Sequence, residues 1–455
     1  MNQDEAKKIM EDWDRRDFLK GGSLTALVSM LGGVEMRAPA QDAPEAPKPP
    51  AFKVNIAVIG LGPWGREITH TLLKLPEANV HTLCDTYAAM LRRMRRYAPD
   101  AKKVENYKEV LADKEVQAVC IATGSHEHKK IVIEALKAGK HVYCEAPLAH
   151  TIEDAREIAK AARESYAQVF QAGLNYRSDP QRHFILDFFW SGAAGKTVMS
   201  RSQWHKKNSW RYASPNRERE QQINWRLNKD LSPGLVGEMG IQQIDTNNWF
   251  LKARPKAVTG FGGILHWNDG RSVPDTVQAM FEYEEKGNYI YDAALTNSFD
   301  SDYEMIYGTY AAIMTRGNKA WMFKEVDSPL LGWEVYARKD EFYKETGIAL
   351  VANATKLIAA RDQDVEDEKY TNTPLSHSMA AFLHNSNELG AAIKNFEETF
   401  GFLDKDSVLD YLKSLNLKPA AGFTEGFEAT VTVLKANEAV LASKRIEYKP
   451  EWFQI

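Results

Sequence analysis

The sequence predicts an α/β protein of two units: a doubly wound parallel sheet over residues 51–172 and a C-terminal α/β unit over 173–455 built on a large, mostly antiparallel sheet. Three observations lead there. From Val54 to about Ala172, short apolar runs alternate with amphipathic helical stretches, the pattern of a parallel sheet covered on both faces. After Gly173 the segments become longer, more aromatic and alternating, as in "KTVMSRSQWH", "KAVTGFGG", "VQAMFEYEE" and "NYIYDAALT", the pattern of strands with one buried face. The 455 residues, 44% of them apolar, suffice for two cores.

In chain order, "KVNIAVIGLG" gives a buried strand over Val54–Ile59, then a helix over about Gly65–Leu75, a strand over Asn79–Cys84 and a helix over about Tyr87–Tyr97. "VQAVCIA", "HKKIVIEALKAG", "HVYCEA", "TIEDAREIAKAARE" and "QVFQAG" continue the alternation of strand and helix. Near the end, "HSMAAFLHNSNELGAAIKNF" and "TEGFEATVTVLKANEAVLASKR" are helical, and the second is expected to return over part of the structure. No internal repeat is present. "WSGAAGKT" imitates a phosphate-binding loop but carries Trp190 where that loop requires glycine, so it reads as a helix end at Gly192 followed by a turn.

The first 40 residues differ in kind. Arg15 and Arg16 precede the weakly apolar run "GGSLTALVSMLGG" and the small residues of "RAPA", an order similar to a twin-arginine export signal. A Pro/Ala-rich tether over 41–52 follows. The run is too short for a bilayer-spanning helix, which needs roughly 20 apolar residues, so the expectation is a periplasmic protein, soluble or peripherally attached, with no transmembrane segment. Export in a folded state further predicts a cofactor that is tightly retained.

Formal net charge is −4 with both signs interspersed, which leaves no basic footprint for nucleic acid. Cys84, Cys120 and Cys144 sit in or beside apolar strand runs and read as buried small hydrophobes, without disulfide or metal roles.

Gly60, Gly62 and Gly65 form a G-x-G-x-x-G array directly after a strand and at the opening of a helix. The three glycines allow a tight turn, close approach of pyrophosphate and close helix–sheet contact, with the helix N-terminus facing the phosphates. Asp85 ends the second strand, where a carboxylate accepts hydrogen bonds from an adenosine ribose and repels a 2′-phosphate, favouring NAD over NADP. With the neighbouring strand ends, the cofactor set is Gly60, Gly62, Pro63, Trp64, Gly65, Asp85, Thr123, His126 and Glu145.

Together, "AVIGLGPWG", "CDT", "IATGSHEHKKIVIEALKAGKHVYCEAPLAHT", "QAGLNYR" and "GEMGIQQIDTNNWF" resemble the Gfo/Idh/MocA family of NAD(P)-dependent oxidoreductases, over about residues 51–455 and particularly its secreted, sugar-directed members. The resemblance implies a Rossmann domain and a substrate domain whose open sheet mediates dimers or tetramers. In the usual family pattern a Glu-Lys-Pro turn supplies a lysine and an Asp-x-x-x-His helix a histidine for proton transfer. Here Ala146 stands between Glu145 and Pro147, and Gln242 follows Glu238 at the histidine position with Asp245 retained. Neither alanine nor glutamine titrates, so a secreted branch with both usual positions substituted is expected.

Substitute proton-transfer candidates are Glu238, which shares a helix face with Gln242 and Asp245, together with His128 and Lys206. Glu238 has the alternative role of orienting a hydroxyl or an arginine, and His128 that of local hydrogen bonding. Tyr176 and Arg177 match positions lining the family's substrate cleft, and Trp204, Trp210 and Arg211 pair aromatic planes with cationic donors, as a sugar requires; packing in the core is the competing role for the tryptophans. The leading expectation is a periplasmic NAD-dependent oxidoreductase acting on a sugar or glycoside hydroxyl, as a homo-oligomer or with a related subunit. The alternatives are a nucleotide-binding scaffold subunit without turnover and an NAD-dependent glycoside-cleaving enzyme.

Overall fold

The computed structural model describes residues 52–317, 319–332, 334, 339–342, 345–350, 373–401 and 405–455. The expected export signal and nearly all of the tether lie outside the described residues. The first unit runs β1 (Val54–Ile59), α1 (Pro63–Lys74), β2 (Ala78–Cys84), α2 (Ala88–Met94), β3 (Lys102–Val104), α3 (Tyr107–Ala112), β4 (Ala118–Ile121), α4 (His128–Lys137), β5 (His141–Cys144), α5 (Ile152–Glu164) and β6 (Phe170–Ala172). Its six strands are parallel, in the order β3-β2-β1-β4-β5-β6. The order reverses beside β1, which places the crevice of a doubly wound sheet at the C-terminal ends of β1 and β4.

A short 3₁₀ turn at Asn175–Ser178 and α6 (Pro180–Trp190) lead into the second unit. Gly192 and Gly195, at φ +83° and +74°, make the turn anticipated after "WSG" and feed β7 (Thr197–His205). Then come α7 (Arg217–Ile223), α8 (Gly234–Glu238), α9 (Ile241–Leu251), β8 (Ala257–Gly263), β9 (Thr276–Glu282), β10 (Asn288–Ala294), β11 (Asp302–Gly308), β12 (Ala311–Arg316), β13 (Lys319–Lys324), β14 (Lys339–Phe342) and β15 (Glu345–Leu350). The chain closes with α10 (Pro374–Phe400), α11 (Lys405–Leu412), α12 (Phe423–Ala442) and β16 (Arg445–Glu447). The ten-stranded sheet has the order β14-β15-β13-β12-β11-β7-β10-β9-β8-β16. Only the β7–β10 pair is parallel, so the sheet is mostly antiparallel, as the alternating segments predict.

Burial explains how the late helices are used. Ile56 and Val58 face one side of the first sheet, and that side is covered by Ile68 and Leu72 of α1 and by Met379, Phe382 and Leu383 of α10. The other side joins Ile59, Val119 and Ile131 to Phe427, Val433 and Val440 of α12 and, through them, to Val258 and Phe281 of the second sheet. Helix α10 therefore completes the first core and α12 welds the two units into a continuous apolar interior. All three cysteines are buried free thiols, consistent with their reading as small hydrophobes. Among the described residues no helix is long and apolar enough to cross a membrane.

The tightest backbone approach is at the start of α1. A Cβ on Gly65 would lie 1.8 Å from Gly60 O, so even alanine requires the β1–α1 turn to move. Gly65→Ala is expected to lower stability by about 1–3 kcal/mol, the usual cost of overpacking, and to abolish NAD binding. Thermal melting and a fluorescence titration with NADH check both.

Candidate functional site

The site is built at the C-terminal ends of β1, β2, β4 and β5. Gly60 takes φ +93°, and a Cβ there would stand 2.7 Å from Ala122 O, so β1 and β4 approach as closely as main chain allows. Gly62 caps α1, Pro63 opens it, and nothing lies within 4 Å of a Cβ added to Gly62. This clear face at a helix N-terminus is the shape that admits pyrophosphate.

Asp85 fixes the turn from the side, its Oδ2 accepting from Leu61 N at 2.8 Å and its Oδ1 from Tyr87 N at 2.7 Å. Thr123 Oγ1 and His126 Nδ1 are buried without a protein partner. Orphaned polar atoms beside an open glycine turn fit a dinucleotide, which supplies hydroxyl, phosphate and amide groups along that line.

At the other end of the crevice, Glu145 closes β5. Tyr143 Oη lies 2.8 Å from Glu145 Oε1 and 2.9 Å from Asn175 Oδ1, and the Trp64 indole donates to the same carboxylate. Burial outweighs these donors and pushes Glu145 up to about 7. The second unit supplies a second carboxylate, Glu238, to the same neighbourhood through Arg226. Its Oε1 accepts from Ser125 Oγ at 3.1 Å and its Oε2 from Arg226 Nε at 2.8 Å, with the side chain only 4% exposed. Arg226 also draws on the charge of Glu145. Two carboxylates, a guanidinium and a hydroxyl thus converge where the two units meet.

Residues 54–173 match the model of the Gfo/Idh/MocA oxidoreductase family, NAD-binding Rossmann fold, and residues 187–314 match the family's C-terminal domain. The chain belongs to this family. Inositol 2-dehydrogenase of Salmonella paratyphi B is 26% identical over 207 residues, 45% of this chain and 56% of that protein. The chain therefore spans little more than half the length of that curated relative. A 1,5-anhydro-D-fructose reductase of Ensifer adhaerens is 26% identical over 263 residues, 57% of this chain and 74% of its own. A solved levoglucosan dehydrogenase in complex with NADH and levoglucosan shares the fold, with TM-score 0.63 and 16% identity over 87% of this chain and 99% of that one.

Membership of the Gfo/Idh/MocA family stands, but the expected branch with its lysine and histidine positions substituted is corrected. A buried histidine and a buried lysine are both in place with defined contacts. His128, 2% exposed, sets its ring nitrogens 3.2 Å from Leu148 O and 3.3 Å from Thr123 O. Lys140, 7% exposed, donates to Asp113 O and Val116 O, each at 2.7 Å. Ala146 and Gln242 therefore do not mark a chain stripped of these groups. His128 joins the loop after β4 to the turn after β5, and burial pushes it down to about 4, which leaves it neutral near pH 7.

The remaining residues of the family cleft divide sharply. Arg177 Nε and Nη2 pair with Asp245 Oδ2 and Oδ1 at 2.8 and 2.9 Å, and the guanidinium stacks over Trp249 at 5.2 Å. Burial raises the Asp245 carboxyl and Arg177 opposes the rise. Gln242 Nε2 donates to Gly173 O at 2.6 Å, where the first unit hands over to the second. Tyr176 lies beneath Arg182, 4.1 Å from ring centroid to guanidinium, and burial raises its phenol, so it stays protonated.

Trp210 is buried in the main core and Trp204 packs against that core from β7. For Trp210, 8% exposed, this is the packing role and not an open sugar platform. Arg211 is spent on Glu220 and Asp269, and Lys206 is exposed just beyond β7. Ser125 and Arg226 were not singled out by the sequence. The signal that marks Arg226 is its place in "NWRL", a cation beside an aromatic residue in a polar run between helices.

Arg177→Met is expected to strand the buried Asp245 carboxylate and lower the unfolding free energy by about 3–5 kcal/mol, with Asp245→Asn in the same chain recovering part of the loss; denaturant melts of both variants check it. His128 and His141 are both pushed down to about 4 by burial. Below about pH 6.5 the unfolded chain binds protons that the folded chain refuses, so stability falls as pH drops from there to about 4. Glu145, raised to about 7, works in the opposite direction as one group against two. A urea midpoint that declines on acidification, and declines less in His141→Asn, is the expected result.

Proposed function

We propose that the chain is an exported oxidoreductase that passes a hydride to NAD from the carbon bearing a sugar or glycoside hydroxyl, with Glu145 as the acceptor of the hydroxyl proton. One observation carries this reading: a buried carboxyl poised near neutrality ends β5, across from the fixed Glu238–Arg226–Ser125 group. The glycine turn, Asp85 and Thr123 would hold the dinucleotide, which supplies the hydride acceptor when bound.

Each neighbouring side chain has a role consistent with its contacts. A general base works best with a pKa near the operating pH, which describes Glu145. Glu238, held by a guanidinium and a hydroxyl, is suited to orienting the substrate. Arg226 places a cation beside the proton acceptor, where charge develops as the hydroxyl ionises. Gln242, anchored on Gly173, offers its unpartnered Oε1 as an acceptor for a further hydroxyl.

The polyol and anhydrosugar substrates in the names of the two curated relatives support a sugar-class substrate. The Arg15–Arg16 signal supports export to the periplasm, and exposed Val198, Phe261 and Met280 on the second sheet support a homo-oligomer.

Purified protein incubated with NAD and a panel of cyclitols, aldoses and glycosides is expected to form NADH, with a product lighter by two hydrogens in the mass spectrum. In Glu145→Gln, kcat should fall by about 10²-fold or more with KM little changed. Wild-type kcat should rise with pH through about 7 as Glu145 ionises, and the variant should lose that limb. Full activity in Glu145→Gln would show that another group takes the proton.

A further inference from the structure

Between β7 and α8 the chain leaves the second sheet, crosses the dinucleotide crevice and returns. Both ends of this strap are tied to its own unit. Lys206 and Asn208 donate main-chain N–H groups to Ala294 O and Leu295 O at 3.0 and 3.1 Å, and Leu227 O accepts from Ser272 N at 2.9 Å. Inside it, Asn224 clips the Tyr212 main chain with two bonds of 2.8 and 2.9 Å, and Arg211 pairs with Glu220. These bonds give the strap a shape of its own before any ligand arrives.

Its inner side meets the first unit at three places. Tyr212 lies near Arg66 of α1. Arg219 of α7 reaches the end of β2: Nη1 donates to Thr86 Oγ1 at 3.3 Å, Nη2 lies 3.7 Å from Asp85 Oδ1, and the guanidinium covers the Tyr87 ring at 4.3 Å. Trp225 meets His126 beyond β4, with ring centroids 5.6 Å apart.

Arg219, like His126, leaves a donor or acceptor unused. Its Nε is buried without a partner. Asp85, with one main-chain donor on each oxygen, keeps lone pairs free. A donor and an acceptor with spare capacity thus lie close together beside Tyr87, and a ribose diol both donates and accepts.

We propose that Arg219 is a cofactor-holding residue that closes the adenosine-ribose pocket against Asp85 and Tyr87, so that the strap keeps NAD resident in the crevice. The inference rests on the crevice binding NAD, as in the function proposed above. Arg219 reaches the adenosine end only, so it governs release of the dinucleotide and not proton transfer at Glu145.

Release of NADH from the full chain, followed by the loss of tryptophan-to-nicotinamide energy transfer after chasing with excess NAD, tests this. Arg219→Ala is expected to release NADH about tenfold faster or more, equivalent to about 1.4 kcal/mol, with the ligand-free melting temperature unchanged and Arg219→Lys intermediate. If the alanine variant melts early, Arg219→Gln, which keeps the stem over Tyr87 and loses the charge, carries the same expectation. Equal release rates for wild type and a folded Arg219 variant overturn the inference while leaving the proposed function intact. A wild-type chain that binds no NAD overturns both.

Discussion

The site depends on how closely main chain approaches main chain at the end of the first sheet. Gly60 stands against Ala122, and Gly65 against Gly60, at separations that no Cβ tolerates. That contact fixes the N-terminus of α1 at the mouth of the crevice, where its free N–H groups and the open face of Gly62 define an anion site. Asp85 then joins two strands through Leu61 and Tyr87, so the ribose end is positioned by the same turn that positions the phosphate end. Loosening the glycine contact would displace both together.

The second constraint is the polar bridge between the units. Ser125 of the first unit and Arg226 of the second meet on one buried carboxylate, Glu238. Such a pair adds little net stability, because desolvation offsets the attraction, but breaking it strands a charge and is costly. Its effect is to hold the two units in one register. The apolar counterpart is α12, whose side chains enter the core shared by both sheets. The facing of Glu145 and Arg226 is thus held from two directions, and the catalytic reading of Glu145 relies on that rigidity as much as on its burial.

Sequence reasoning succeeded where the cause is local. β1 alternates with helix because every residue from Ile56 to Ile59 is buried on both faces of a parallel sheet, and the glycine array is legible because steric demands at a turn admit no other residue. It failed where ordinary residues acquire a role from the path of the chain. Arg219 and Arg226 look like solvated charges, and Ser125 like a loop residue, until the strap lays them across the crevice. Trp204, Trp210 and Arg211 show the converse error: an aromatic, cationic run is compatible with a sugar cleft, yet it packs and pins the strap. The expectation that two substitutions define a branch failed for a related reason. His128 was already a candidate by its place after β4, but its burial and that of Lys140, each with defined main-chain partners, are set by the fold.

The amino-acid sequence by itself determined β1, β2 and β4–β10, the order of the two units, the dinucleotide turn and the acidic end of β2, since periodicity and backbone sterics act between near neighbours; β3 and β11–β16 were not marked by it. Tertiary structure alone decided that α10 completes the first core, that the strap returns to the dinucleotide unit, and that Glu145 and Glu238 both come under the charge of Arg226. The physical reason is that burial and charge pairing are set by contacts between residues over a hundred positions apart, as Ser125 and Glu238 are. Nothing within either local segment specifies which distant side chain will remove its water.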